Sequence, residues 1–344
     1  MNSRTLPKLL VTLALALLCA SAARAVDYVQ LDPTGSVSDP NYPVSGGYSA
    51  FGINDAGLVV GNNNFTGILW SGGAMFSIPI VGARYSSANG IANSAGGNTI
   101  VGTYLDNNYG SHGFMLSGWT AAGSTITGTT TYIDIPGATS TGITGINDSL
   151  TIVGSVADPI AGSGAFVIEG SNYTAFHIAG SPYTDAYDIN NANVIVGTYQ
   201  DNTGFHGYVA SLSGISGNQI TAFTTIDAPV PGTLATHLTS INDAGDLAGW
   251  YQDASGRDHG FFIDDFTQLD YVGINPAHFL SRDTRAYGVN AVDDVVGNSV
   301  ETVLFNGAIG SHAFLATSVP EPGTLSLAML LLPIALAGRH RRSH

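Results

Sequence analysis

Residues 187–199, YDINNANVIVGTY, contain the pattern that decides the fold of this chain. A short apolar stretch ends at Asn190, a turn of small polar residues follows, and a second apolar stretch ends at Gly197. In such a hairpin the asparagine side chain caps the turn, and a glycine, as at Gly57 or Gly245 in related stretches, can take a positive φ. We therefore interpret the stretch as two antiparallel strands.

The pattern occurs six times in the chain, in copies such as FGINDAGLVVGN and TSINDAGDLAGWY. The marker asparagines are Asn54, Asn93, Asn147, Asn190, Asn242 and Asn290. The glycines that follow them are Gly61, Gly102, Gly154, Gly197, Gly249 and Gly297. The separation is seven residues in five copies and nine in the second copy.

Two further elements accompany the hairpin. After it come HGFML at His112, GAFVI at Gly164, HGYVA at His206, HGFFI at His259 and HAFLA at His312, with a looser GILW at Gly67. Before several of the asparagines come YIDIPGATS (132–140), TIDAPVPGT (225–233), and the looser YVQLDPTGS (28–36) and FSIPIVGAR (76–84). Each unit thus has four short strands in about 49 residues. The Gly/Ser/Thr-rich inserts at 118–130 and 211–222 are predicted to be loops.

A four-stranded sheet of this size cannot bury both faces alone, so the units must stack on one another. The prediction is an all-β repeat protein, a β-propeller of six four-stranded blades. An open β-solenoid is the alternative.

The charges are concentrated by region. Three basic residues lie near the start of the chain and three near its end. The stretch between them has four arginines, no lysine and all 25 acidic residues, a formal charge of −21. Such a body repels nucleic acid and anionic membrane surfaces, which excludes nucleic-acid binding. The single cysteine, Cys19, lies in the N-terminal segment, where a lipoprotein interpretation is a minor alternative.

The first 25 residues are typical of a secretory signal peptide. Arg4 and Lys8 precede an apolar run from residue 9 to 20, and the small residues Ala23 and Ala25 predict cleavage after Ala25. The C-terminus has Val319-Pro320-Glu321-Pro322, an apolar segment at 323–338, and then Arg339, Arg341 and Arg342. Sixteen helical residues span about 24 Å, so this segment is a marginal transmembrane helix. The arginines would stay cytoplasmic. A plain tail anchor is the simplest interpretation.

The order of these C-terminal parts resembles the PEP-CTERM sorting signal. The resemblance implies export by a Gram-negative bacterium and processing by an exosortase-type enzyme in the inner membrane. It also implies that Val319-Pro320-Glu321-Pro322 is recognised and that the apolar segment holds the membrane only temporarily. The repeats resemble the extracellular HAF repeat, which brings no catalytic residue with it. The expected domains are the signal peptide (1–25), the repeat propeller (26–318) and the sorting signal (319–344).

Several side chains in the repeats were candidates for chemistry. For His112, His206, His259 and His312 we expect a hydrogen bond to backbone or to a turn aspartate of the same blade, because equivalent positions lie far apart around a propeller. The acidic turns (Asp106-Asn107-Asn108, Asp201-Asn202, Asp253 to Asp258, Asp264-Asp265 and Asp293-Asp294) have oxygen ligands but no calcium-loop spacing, so no metal and no cofactor is predicted. Tyr104, Tyr199, Trp250 and Tyr251 are expected in the core between blades, with a sugar-stacking role in the channel as the alternative.

No HExxH, GxSxG or phosphate-binding loop is present in the sequence. The prediction is an exported structural or adhesive protein of the cell surface or exopolysaccharide matrix, with extracellular polysaccharide as a partner and no enzymatic activity. The alternatives are a propeller hydrolase or lyase acting on matrix polysaccharide, and a periplasmic domain held permanently in the inner membrane. An enzyme should gather acidic or histidine side chains at one mouth of the channel, whereas a scaffold should not.

Overall fold

A computed structural model describes residues 25–32, 47–93, 99–158, 162–264, 270–274, 281–302 and 309–319. Residues 28–317 form one compact unit, and residues 1–27 and 318–344 are grouped in a second. The predicted signal peptide and sorting signal lie outside the described residues, apart from Ala25 and Val319, which are terminal residues of strands. In the described part of the chain, no helix has the length and apolar character needed to cross a membrane.

The described chain is all-β, and its strands form antiparallel sets of four. The chain begins with β1 (Ala25–Gln30). Set 1 is β2 (Ser49–Ile53), β3 (Val59–Asn62), β4 (Gly67–Ser71) and β5 (Ala74–Ile78). Set 2 is β6 (Tyr85–Ile91), β7 (Ile100–Leu105), β8 (Ser111–Ala122) and β9 (Thr125–Ile133). Set 3 is β10 (Ser140–Ile146), β11 (Ile152–Asp158), β12 (Gly162–Glu169) and β13 (Asn172–Ile178).

The second half of the chain continues the same order. Set 4 is β14 (Thr184–Ile189), β15 (Val194–Gln200), β16 (Phe205–Ser211) and β19 (Thr224–Ile226), with β17 (Ile215–Ser216) and β18 (Gln219–Ile220) inserted after a 3₁₀ turn at Leu212–Gly214. Set 5 is β20 (Ala235–Ile241), β21 (Leu247–Gln252), β22 (Asp258–Asp264) and β23 (Asp270–Ile274). Set 6 is β24 (Ser281–Val289), β25 (Val295–Thr302), β26 (Ile309–Val319) and, as its outer strand, β1.

The two predicted loops are largely strand. Residues 118–130 extend the hairpin of β8 and β9, and residues 211–222 contain the short β17–β18 hairpin. Threonine is frequent in the first insert and favours strands. The prediction of a loop at 118–130 underestimated the strand propensity of these threonines.

The marker position requires glycine because a side chain there would clash with neighbouring atoms. A Cβ added at Gly197 would lie 2.0 Å from the Asp185 carbonyl oxygen and 2.8 Å from the Tyr208 ring. The same pairing of a glycine on the second strand with an aromatic ring on the third recurs in sets 2 to 6, and these rings are all fully buried: Phe114, Phe166, Tyr208, Phe261 and Phe314. The VVG and HGF elements of the sequence are therefore two halves of one packing unit in the core.

The marker asparagine caps its turn as predicted. Asn190 Oδ1 accepts hydrogen bonds from the backbone N–H groups of Ala192 (3.1 Å) and Val194 (3.0 Å). Asn193 takes a φ of +57° in the same turn. The prediction for the second copy is wrong by one residue. Ile91 pairs with Ile100 as Ile53 pairs with Val59, so Ala92, and not Asn93, lies at the marker position.

The last set packs against the first. Asn290 Nδ2 donates to the Asn54 carbonyl oxygen at 3.3 Å, and a Cβ at Gly288 would lie 2.9 Å from the Phe51 carbonyl oxygen. The Leu31 N–H donates to the Ala313 carbonyl oxygen at 3.0 Å, next to β1. The curled sheets therefore return on themselves in a propeller-like ring, which the open solenoid alternative does not accommodate.

Candidate functional site

The first strand of each set lines a central channel. Each of these strands carries a bulge, and the extra residue lies at the channel wall. The bulged residues are Phe51, Asn89, Thr144, Tyr187, Thr239 and Tyr287. The polar ones join neighbouring sets. Thr144 Oγ1, for example, donates to the Ala186 carbonyl oxygen at 2.8 Å.

Two rings of hydrogen bonds surround one end of the channel. In the first, marker asparagines donate through Nδ2 to the carbonyl oxygen of the next marker, from Asn147 to Asn190, Asn242, Asn290 and finally Asn54. In the second, five bonds of 2.6–2.9 Å from backbone N–H to side-chain oxygen link the residues after the markers, in the order Ala291, Asp55, Asn93, Asp148, Asn191 and Asp243, and leave the ring open between Asp243 and Ala291. We call this the Asn–Asp end.

Asp188 is the exceptional residue of the channel wall. At the equivalent positions the other sets have Gly52, Gly90, Gly145, Ser240 and Gly288. The Asp188 carboxylate accepts from Ser240 Oγ at 2.6 Å and from the Ile241 N–H at 3.1 Å. Burial raises the pKa of Asp188 to about 6 in spite of these hydrogen bonds, which lower it.

Replacing Asp188 with Asn tests this raised pKa. A folded pKa of about 6, against 3.8 for the ordinary group, means that the ionised carboxylate opposes folding above pH 6 and that this cost disappears as pH falls towards 4. We expect Asp188→Asn to raise the free energy of unfolding at pH 7.5 by about 1–3 kcal/mol, with little gain at pH 4. Urea unfolding at both pH values measures this. The exposed Glu169→Gln is the control, and an equal gain at both pH values would contradict the prediction.

A stack of planar side chains from three sets lies at the strand ends opposite the Asn–Asp end. The rings of Phe205 and His237 are 5.5 Å apart, those of His237 and Trp250 are 3.9 Å apart, and Arg285 Cζ lies 4.5 Å from the Trp250 ring. We call these four residues the planar stack. Tyr183 packs edge-on against Phe205 at 5.6 Å and extends it. Offset and cation–π contacts of this kind hold the side chains in fixed positions.

Charged partners fix the stack further. Arg285 Nε donates to Asp258 Oδ2 at 2.8 Å, and Asp258 is buried while the Arg285 side chain is 41% exposed. Burial, together with the positive charge of Arg285, lowers the pKa of His237 to about 4, so that this ring is neutral at pH 7. The guanidinium is therefore held rigidly with part of its donor surface facing solvent.

A second polar group lies beside the stack. The Tyr183 hydroxyl donates to Asp185 Oδ2, and the Tyr187 hydroxyl lies 3.5 Å from the same oxygen. Burial raises the pKa of Asp185, against the effect of these two donors. Burial also raises the pKa of the Tyr183 and Tyr187 hydroxyls. Clusters of groups with perturbed pKa values are typical of functional sites.

Sequence reasoning missed most of this cluster, although the repeat contains a signal for it. Asp185, His237 and Arg285 occupy the position that Ser49, Ser87 and Gly142 have in sets 1 to 3. Trp250 similarly occupies the position of Asn62, Thr103, Ser155, Thr198 and Asn298. When the six copies of the repeat are aligned, these positions differ from the others by having large or charged residues in place of small polar residues or glycine.

The prediction for the four histidines is confirmed. His112 Nδ1 lies 2.8 Å from Asp134, His206 Nδ1 lies 2.9 Å from Asp227, His259 Nε2 lies 3.0 Å from Asp253, and His312 Nδ1 lies 2.6 Å from Asp32. Each pair joins strands or turns of one set.

The predicted core position holds for three of the four aromatic residues. Tyr199 and Tyr251 are buried, and Tyr104 is partly buried against the hydrophobic core. Trp250 points instead to the planar stack. In the described part of the chain no three His, Cys, Asp or Glu side chains are placed to hold a metal ion. The side chains of Asp264 and Asp265 lie outside the described set.

Comparisons with known proteins define the class of fold. No protein-family model and no curated protein matches the chain. Among solved structures, a putative TolB from Agrobacterium tumefaciens is similar over 79% of this chain and 90% of its own, with 10% identity and a TM-score of 0.50. This likeness, together with the curled sheets, supports a β-propeller-like architecture.

The prediction that the protein is not an enzyme is corrected by two further comparisons. A subtype N11 neuraminidase-like protein of A/flat-faced bat/Peru covers 86% of this chain and 96% of its own (10% identity, TM-score 0.41). The catalytic domain of a Coprinopsis cinerea GH62 α-L-arabinofuranosidase covers 69% and 92% (10% identity, TM-score 0.36). The second of these is the catalytic domain of an enzyme. These likenesses assign no activity to this chain.

Proposed function

We propose that the protein is an exported six-bladed β-propeller that binds polysaccharide at the cell surface or in the exopolysaccharide matrix of a Gram-negative bacterium. The observation that carries the proposal is the planar stack with its polar neighbours, at the strand ends opposite the Asn–Asp end. The six sets of strands and the contact of the last set with the first support the blade number in this proposal.

The chemistry of the planar stack and its polar neighbours suits a polyhydroxylated ligand. Such a ligand needs hydrogen-bond donors, acceptors and apolar surface within a small area. The partly exposed Arg285 supplies donors. The Tyr183 hydroxyl, which donates to the buried Asp185, supplies an acceptor, and the rims of Phe205 and Trp250 supply apolar surface. Because the stack is pre-organised, little side-chain entropy is lost on binding.

Export and sorting are part of the same proposal. The N-terminal signal and the C-terminal PEP-CTERM-like segment support passage across the inner membrane and handling by an exosortase-type enzyme. Intact-mass analysis of the protein from cell, membrane and matrix fractions tests this. Residues 323–344 retained on protein outside the inner membrane would contradict it.

Arg285→Lys tests the binding site. Lysine keeps a positive charge beside the buried Asp258 but loses the planar fork and its contact with Trp250. We expect binding to the polysaccharide of the producing bacterium to weaken at least tenfold in calorimetry, with a nearly unchanged melting temperature. Arg257→Lys, on a turn of the same set, is the matched control. Undiminished binding by the Arg285 variant would refute the assignment of this site.

Hydrolysis or lyase cleavage of the same polysaccharide is a second candidate function. The observation in its favour is Asp188, a channel-wall carboxyl whose pKa of about 6 allows it to exchange a proton at mildly acidic pH. An assay for new reducing ends, with Asp188→Asn alongside the natural protein, decides between binding alone and turnover. Cleavage that persists in the variant would remove Asp188 from that role.

A further inference from the structure

Tyr109 is held in a backbone conformation that suits glycine. Its φ is +65°, and it lies in a turn where Asp106 Oδ1 accepts from the N–H groups of Asn108 and Gly110, both at 2.8 Å. Set 5 has the same turn at Asp253, and there the corresponding residue is Gly256, with a φ of +81°. A bulky residue at positive φ is an outlier that the local fold does not need. The tyrosine side chain is therefore not required by the turn in which it lies.

That side chain faces solvent. Tyr109 is 64% exposed, and Phe65, at the tip of the corresponding turn of set 1, is 72% exposed. The Phe65 turn is fixed by Asn63 Oδ1, which accepts from the Thr66 N–H at 3.0 Å. Both turns join the second and third strands of their sets. They therefore lie at the same end of the molecule as the planar stack, opposite the Asn–Asp end.

Arg84 lies between these two turns. Its Cζ is 4.7 Å from the Tyr109 ring, and the Ser86 N–H, two residues further on, donates to the Phe65 carbonyl oxygen at 3.1 Å. Within the described residues no carboxylate pairs with the exposed Arg84 guanidinium. The nearby Asp106 is engaged by its own turn and lies 3.8 Å from His112 Nε2. An unpaired cation on an exposed ring is unusual in a body with a formal charge of −21.

We propose that Phe65, Arg84 and Tyr109 form a binding surface, here called the aromatic patch, for a polysaccharide that contains uronic acid. The two rings offer faces for the C–H surfaces of sugar units, and the guanidinium offers two parallel donors to a sugar carboxylate. The assignment rests on the proposed polysaccharide-binding function and adds the chemical class of the ligand. It uses residues separate from the planar stack.

The test measures calorimetric binding of a galacturonic acid hexasaccharide and a neutral galactose hexasaccharide to the full chain. It is done at 0.15 M salt, where a Debye length of about 8 Å confines the repulsion from the acidic body. We expect the uronate to bind at least tenfold more tightly than the neutral sugar. Tyr109→Gly should weaken uronate binding at least tenfold while leaving the melting temperature unchanged or higher, because it removes the backbone strain.

Arg84→Met should abolish the preference for the uronate, and Phe223→Ala, which truncates an exposed ring outside the patch, should leave it intact. The proposal is overturned if the natural protein does not prefer the uronate, or if Tyr109→Gly binds it normally. It is also overturned if sedimentation shows that the chain self-associates and that Tyr109→Gly abolishes this, since the patch would then be an interface between copies. Loss of binding in Arg285→Lys alone, with the patch variants normal, would retain the proposed function and reject the patch.

Discussion

Deleting residues 26–32 should open the ring and produce the largest loss of stability of any small change to this chain. Leu31 and Asp32 follow β1, the outer strand of set 6, and tie it to set 6 and to set 1. The Trp70 indole donates to the Leu31 carbonyl oxygen at 3.0 Å, and the buried Asp32 carboxylate binds His312 at 2.6 Å and the Ala313 N–H at 3.0 Å. Breaking a buried pair of this kind costs about 3–5 kcal/mol, and the deletion removes a strand as well.

Urea unfolding with size-exclusion chromatography measures the effect of the deletion. We expect a fall of at least about 4 kcal/mol in the free energy of unfolding, and association of the variant through the uncovered edge of β26. Asp32→Ala should lose about 3 kcal/mol by itself. Gln30→Ala, which removes only weaker contacts at 3.2 and 3.3 Å, is the control. A deletion variant as stable and monomeric as the natural protein would show that β1 does not close the ring.

Gly197→Ala should cost several kcal/mol although it adds only one methyl group. The new Cβ would lie 2.0 Å from the Asp185 carbonyl oxygen, a backbone atom that cannot move without separating β14 from β15. Overpacking with flexible neighbours costs about 1–3 kcal/mol, and a backbone clash should exceed this range.

The control for this substitution is Gly142→Ala on β10. There the nearest atom to the new Cβ is Ser155 Oγ, at 3.3 Å, a side-chain atom that can rotate away. Thermal unfolding of both variants should show a large fall in melting temperature for Gly197→Ala and a small one for Gly142→Ala. Equal effects would mean that the marker glycine is not a packing requirement.

The repeat pattern predicted the strands because marker residues and strand ends coincide. The Asn190 turn and the Gly197–Tyr208 contact are local or nearly local, so residue types alone indicated them. The errors arose where residue type and register disagree. The sequence indicates Asn93 as the marker of the second copy because the residue at the true position, Ala92, has no side-chain amide. The stretches such as YIDIPGATS and YVQLDPTGS were assigned to the copy that follows them, whereas each forms the outer strand of the preceding set: β5 pairs with β4, β9 with β8, β19 with β16 and β1 with β26.

The candidate site was less predictable for a geometric reason. Phe205, His237 and Arg285 come from three sets and meet only because the sets curve around one axis. Their spacing along the chain has no pattern of its own. Trp250 was noticed as an aromatic beside Tyr251, but only the pleat of β21 shows that it faces the other way.

The marker asparagines have a consequence for how the molecule opens. From Asn147 to Asn290 each marker side chain caps its own turn and also donates to the backbone of the next turn. Unfolding one turn therefore removes a hydrogen bond from each of two neighbouring turns, so the unfolding of these turns is coupled. Ala92 has no amide to donate, and only the second ring, through Asn93 and Asp148, continues across that junction. Strand side chains join set 2 to set 3 instead: Asn89 Nδ2 donates to the Ile143 carbonyl oxygen at 2.6 Å, and Thr103 Oγ1 accepts from the Ile143 N–H at 3.0 Å. Opening the molecule there therefore breaks contacts between strands and not a shared turn cap.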